Sequence, residues 1–127
     1  MANRTPGESQ VHVGLVKMMA THFAAQGYRN VKADLAGYEC PGQVNGYIPD
    51  VTCQKADGSM IVLEAETCST IFDSHTESQW QAFARASAGL QLAVPRLCGM
   101  ESGRAKAQRQ LAQLGISSQI TIWEPTG

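Results

Sequence analysis

The stretch Met60-Ile61-Val62-Leu63-Glu64-Ala65-Glu66 is what most constrains how this 127-residue chain can fold. It is an apolar strand-like run broken by two carboxylates spaced two apart. Side chains alternate along a strand, so Glu64 and Glu66 project from one face and Ala65 from the other. The run is one arm of a hairpin, with Tyr47 to Lys55 and Ser59 to Ser69 on either side of Ala56-Asp57-Gly58. A two-residue Asp57-Gly58 loop pairs Asp50 with Ala65, on the wrong face. A three-residue loop, with Gly58 left-handed as a bulge, pairs Lys55 with Ser59 and Asp50 with Glu64. Glycine at position 58 suits the second register, which gathers Asp50, Glu64 and Glu66 on one face.

The rest of the chain supplies helices and further strands around this hairpin. Thr5-Pro6-Gly7-Glu8 reads as a helix start, with Thr5 as N-cap, Pro6 at the first position and Glu8 closing a capping box. Val11, Leu15, Met18, Met19, His22 and Phe23 recur at helical spacing, and Gly27 ends the helix. Tyr28 to Leu35 reads as a strand, and Ala36 to Gly46 as a loop. Ser74-His75-Thr76-Glu77 reads as a second capping box, opening a helix to about Ser87. Leu90 to Leu97 is a strand, Ser102 to Leu114 a helix closed by Gly115, and Gln119 to Glu124 a last strand. The order αβββαβαβ implies an α/β fold: one three-layer domain over residues 1–127, a central mixed sheet flanked by helices.

Composition excludes some functions. Ten Lys+Arg against eleven Asp+Glu give a formal charge of −1, unlike a polybasic nucleic-acid binder. No apolar run approaches the roughly 18 residues of a membrane span, and the polar N-terminus has no apolar signal-peptide centre. The spacing of Cys40, Cys53, Cys68 and Cys98 matches no zinc motif, so no structural zinc is expected. Cys53 and Cys68 sit in apolar runs and read as small reduced core residues. A cytoplasmic protein is the expectation.

Three carboxylates on one face of a buried strand repel each other and are costly to ionise. A divalent cation relieves both problems, and hard oxygen ligands suit Mg²⁺ or Mn²⁺. An acidic solvated face is the plainer alternative. Pro49-Asp50 followed across a hairpin by Glu64-Ala65-Glu66 resembles the PD-(D/E)xK nuclease superfamily, whose αβββαβ core matches the order over roughly residues 6 to 98. The resemblance implies a restriction endonuclease-like fold and metal-dependent hydrolysis of DNA phosphodiesters. It implies Asp50 and Glu64 as metal ligands and Glu8 as an additional acidic ligand, in competition with its capping role. The superfamily's lysine falls at position 66, where this chain has Glu66; that residue becomes a third ligand or a water-orienting base. Lys55 lies on the opposite face, and Lys32 on the preceding strand is a weak substitute.

The resemblance also implies a role for Gln79 beside the metal. His75 and Gln79 are one turn apart on one helix face, and His75 is placed to meet a phosphate. Both also suit an ordinary exposed face. Trp80 and Phe83 read as core rather than base-stacking platforms, while Thr67 and Ser69 continue the strand toward a phosphate. Arg104, Lys106 and Arg109 form a local basic cluster fit for phosphate contacts, or a solvated helix face. The expectation is a small nuclease acting on DNA selected by structure, branched DNA included, as a homodimer. The alternatives are an inactive nuclease-fold module binding nucleic acid or a partner protein, and an ordinary α/β domain whose hairpin acids are coincidental.

Overall fold

The computed structural model describes residues 5–116 and 120–125. Eight elements follow the expected order: α1 (Pro6–Ala25), β1 (Arg29–Ala33), β2 (Val51–Gln54), β3 (Met60–Ala65), α2 (Ser74–Phe83), β4 (Leu90–Ala93), α3 (Gly103–Gln113) and β5 (Ile122–Trp123). They form one five-stranded sheet in the order β1-β2-β3-β4-β5. The first three strands are antiparallel neighbours, whereas β3–β4 and β4–β5 are parallel. Each parallel step is spanned by a helix, as parallel strands require.

Alternation along the strands divides the core into two layers. Val51, Cys53, Ile61, Leu63, Ala65 and Ala93 pack with Leu15, Val16, Met19, Ala20 and Phe23 of α1. Val62, Leu90, Leu92, Val94 and Ile122 pack with Trp80 and Phe83 of α2 and with Ala107 and Leu111 of α3. The domain is therefore three layers: α1, the sheet, and α2 with α3. No helix among the described residues is long and apolar enough to cross a membrane.

Local signals explain most boundaries. The Thr5–Glu8 capping box is formed with Pro6 in the first turn, and Ser102 caps α3 through the Ala105 N–H. Several expectations need correction. Asp73, not Ser74, caps α2, because its carboxylate accepts the His75 N–H at 2.9 Å; α2 then ends at Phe83, short of Ser87. Val11 is 46% exposed, so the buried stripe of α1 starts at Leu15. Residues 47–50 precede β2 because Val44 and Tyr47 form an isolated bridge, with Asn45 at φ 49° turning the chain back. The expected start of the last strand at Gln119 lies outside the described residues.

The cysteine reading is corrected most. Cys53 is a buried free thiol, pushed up to about 11 by burial. Cys68, however, is disulfide-bonded to Cys98. β3 ends at Ala65, so Cys68 lies in a surface turn, and the parallel β3–β4 pairing brings the two loops following these strands together. That bond does not favour the reduced state expected from the sequence.

Gly103 is the residue on which the α3 connection turns. A Cβ at that position would stand 2.0 Å from the Pro95 carbonyl oxygen at the end of β4, so backbone must shift to admit any side chain. Gly103→Ala is expected to cost about 1–3 kcal/mol of stability, read as a lower urea midpoint at unchanged slope.

Candidate active site

The turn at Ala56-Asp57-Gly58 sets the site. Gly58, at φ +85°, lets its N–H donate to the Lys55 carbonyl while the Lys55 N–H donates to the Ser59 carbonyl, both at 2.9 Å. The ladder then pairs Gln54 with Met60, Cys53 with Ile61, Thr52 with Val62 and Val51 with Leu63. Its continuation sets Asp50 opposite Glu64, the three-residue register expected from the sequence. Side-chain and backbone bonds lock the two together: the Asp50 N–H donates to Glu64 Oε2 at 3.3 Å, and the Ala65 N–H to Asp50 Oδ2 at 2.8 Å. From the other layer, α1 brings His12 Nε2 to 3.2 Å from Asp50 Oδ1.

Two carboxyls this close cannot both ionise cheaply. Glu64 is only 2% exposed. Burial first, then the charge of Asp50, their mutual hydrogen bond and the charge of Glu66 raise its pKa well above the ordinary 4.5. Burial also pushes Asp50 upward, but hydrogen bonds from Glu64, His12 and the Ala65 N–H, with the His12 charge, outweigh it and leave Asp50 lowered. The two shifts run in opposite directions, so a proton on the pair favours Glu64 over Asp50.

Glu66 lines the same cavity and is 3% exposed, but it is tied to the layer of α2. Its carboxylate accepts from Thr70 Oγ1 at 2.7 Å, Trp80 Nε1 at 3.2 Å and Thr76 Oγ1 at 3.5 Å. Trp80 is thus a core residue, as expected, that also holds a site carboxylate. The cavity, about 500 Å³, is lined by His12, Asp50, Glu64, Glu66, His75 and Gln79, with Tyr47 and Ile48 at its side. The Tyr47 ring meets both His75 and Phe83 edge-on. None of the described residues lining it is a lysine or arginine.

Other predicted site residues lie elsewhere. Glu8 bonds Ser69 and caps its own helix. The Ser69 hydrogen bond, opposed by burial and joined by hydrogen bonds from Thr5 and Thr67, lowers Glu8 to about 2; its capping box with Thr5 is formed. The cations of α3 already have partners: Arg104 Nε with Glu124 at 3.2 Å, Arg109 with Glu101, and Lys106 with the Cys68 carbonyl. Lys106 and Arg109 also flank the Phe72 ring. Sequence reading missed His12 and Tyr47. His12 stands one helical turn after Glu8, a signal masked by the apolar residues on either side of it; nothing in the sequence marks Tyr47 as a neighbour of His75.

Among the described residues, no three His, Cys, Asp or Glu side chains already converge as a ligand set for a metal. The donor chemistry nonetheless fits a hard divalent cation. Mg²⁺ is commonly held by one or two carboxylates and keeps several waters, and Asp50 with Glu64 supplies such a pair.

No protein-family model matches this chain, and no curated protein does. Among solved structures, the chain is similar to a repair endonuclease from Pyrococcus abyssi at 15% identity and a TM-score of 0.49. The match covers 98% of this chain and 49% of that one, so this chain spans about half its length. What this chain does has to be read from its own side chains.

The raised Glu64 pKa makes a pH prediction. The Glu64 pKa is higher folded than unfolded, so its contribution to stability is complete below about pH 4.5 and is lost as pH rises through the raised folded value. Metal-free protein should therefore lose up to about 1.4 kcal/mol per pH unit in that window. Glu64→Gln, which keeps a donor toward Asp50, should flatten the dependence in denaturant titrations at a series of pH values.

Proposed function

We propose that this protein is a metal-dependent nuclease hydrolysing DNA phosphodiester bonds. The observation that carries the reading is the buried, face-to-face placement of Asp50 and Glu64 at the wall of an open cleft. Burying two acids together costs stability unless a proton or a cation offsets their charge. Asp50 and Glu64 would hold Mg²⁺ or Mn²⁺. When bound, such an ion supplies an activated water and offsets charge on a phosphoryl group.

The chain's own residues do the remaining work. His12 donates to Asp50 and fixes the orientation of its carboxylate. Trp80 and Thr70 hold Glu66 at the cleft wall, where its charge adds to the pull on a cation. His75 and Gln79, half-buried where α2 lines the cavity, supply hydrogen-bond donors for a phosphate or for the attacking water. A homodimer acting on branched or otherwise structured DNA extends the same proposal.

A specific observation favours a second reading, an inactive module of this fold that binds nucleic acid or a partner protein. The position where the resembled superfamily carries lysine holds Glu66, and no described lysine or arginine lines the cavity.

Cleavage decides between the two. Pure protein incubated with supercoiled, branched and single-stranded DNA in Mg²⁺ or Mn²⁺ should nick or cut at least one substrate. Asp50→Ala should reduce the rate by at least about a hundredfold. Cleavage unchanged in Asp50→Ala overturns the site; no cleavage of any substrate favours the binding module.

A further inference from the structure

The helices on the site-bearing face cover only half of the sheet. Residues of α2 and α3 pack over β3, β4 and β5, whereas β1 and β2 carry Asn30, Lys32, Thr52 and Gln54 into an open trough of about 230 Å³. Gln43 lines this trough and the acidic cavity alike, so the two adjoin along one face of the sheet. The volume lies below the roughly 300–1,000 Å³ of pockets that enclose a small ligand. It suits contact with an extended chain instead.

Lys32 is set toward this face by its pairing with Thr52, whose neighbour two residues back is Asp50. Its ammonium is 2.9 Å from Glu39, in a pair whose side chains are 37% and 74% exposed. Exposed ion pairs contribute only about 0–1 kcal/mol, so a phosphate can displace Glu39 at little cost. Gln43, with Asn30 and Gln54 whose amides bond each other, adds amide groups of the kind that bind sugar and phosphate oxygens, beside a Thr52 that is buried. Met60 adds an apolar surface.

We propose that the β1–β2 trough is the channel for a single polynucleotide strand leaving the acidic cleft, with Lys32 binding a phosphate beyond the one being cut. The inference rests on the nuclease reading of the cleft and adds to it a place and a direction for the substrate strand. Lys32 here grips substrate away from the reacting atoms, so it acts on binding and not on the chemical step.

The test is fluorescence anisotropy with a labelled thymidine oligomer of about twelve nucleotides and one of about four, in Ca²⁺ and at several salt concentrations. Lys32→Glu should weaken the longer oligomer about fivefold and lower its log–log salt slope by about 0.7. It should leave the short one nearly unchanged. Glu39→Gln, which frees the ammonium, should tighten the longer oligomer. In cleavage of the longer oligomer, Lys32→Glu should raise KM and spare kcat. If the protein cuts DNA in an Asp50-dependent way but neither variant changes affinity or salt slope, the trough proposal is overturned and the nuclease reading stands. If the wild type does not bind the longer oligomer, the trough proposal is overturned, and the nuclease reading is then decided by cleavage of supercoiled and branched DNA.

Discussion

The structure depends on keeping two carboxyl groups side by side in the interior. Asp50 and Glu64 meet because Gly58 can adopt a left-handed conformation that fixes the hairpin with three residues in its loop. A slip of one residue would send Asp50 into the apolar layer of α1, among Leu63, Ala65 and Phe23. The same slip would send Val51 and Cys53 out of that layer. Hydrophobic alternation and acid pairing thus select one register together, and each supports the other.

The remaining parts of the cleft serve that pair. Helix α1 packs its apolar face on β1–β3 from Leu15 onward, which leaves its earlier turns free to carry His12 to Asp50. Helix α2 buries Trp80 completely, yet its indole N–H reaches out of the core to Glu66. An acid at position 66 is therefore not on a solvated strand face. It is fastened by three side chains from the segment that follows it, and this ties the wall of the cleft to the packing of α2. The Cys68–Cys98 bond fastens the same segment to the loop after β4.

Much of this was legible in the sequence, for physical reasons that differ by element. The helix starts at Thr5 and Ser102, the glycine stop after α1 and the turn at Gly58 are local signals, determined by residues within one turn of each other. The facing of Asp50 and Glu64 followed from strand alternation once the loop length was chosen. Cap chemistry at Asp73 and Ser74 was ambiguous by one residue, since both side chains can cap, and hydrogen-bond geometry settled it. Contacts between elements were not legible. The approach of His12 to Asp50 depends on how α1 crosses the sheet, and the Cys68–Cys98 pairing depends on two loops meeting at one end of parallel strands. The cations of α3 illustrate the same limit: their clustering along the helix was visible, their pairing with Glu101, Glu124 and the Cys68 carbonyl was not.

The central claim is that Asp50 and Glu64 form a cation site in place of a proton. Crystals grown or soaked with Mn²⁺ test it most directly through anomalous diffraction. The account predicts a strong peak in the cleft beside Asp50 and Glu64, and no peak in Glu64→Gln crystals. A structure in which Mn²⁺ is absent from the cleft at saturating concentration, with the two carboxyls still bonded to each other, would contradict it.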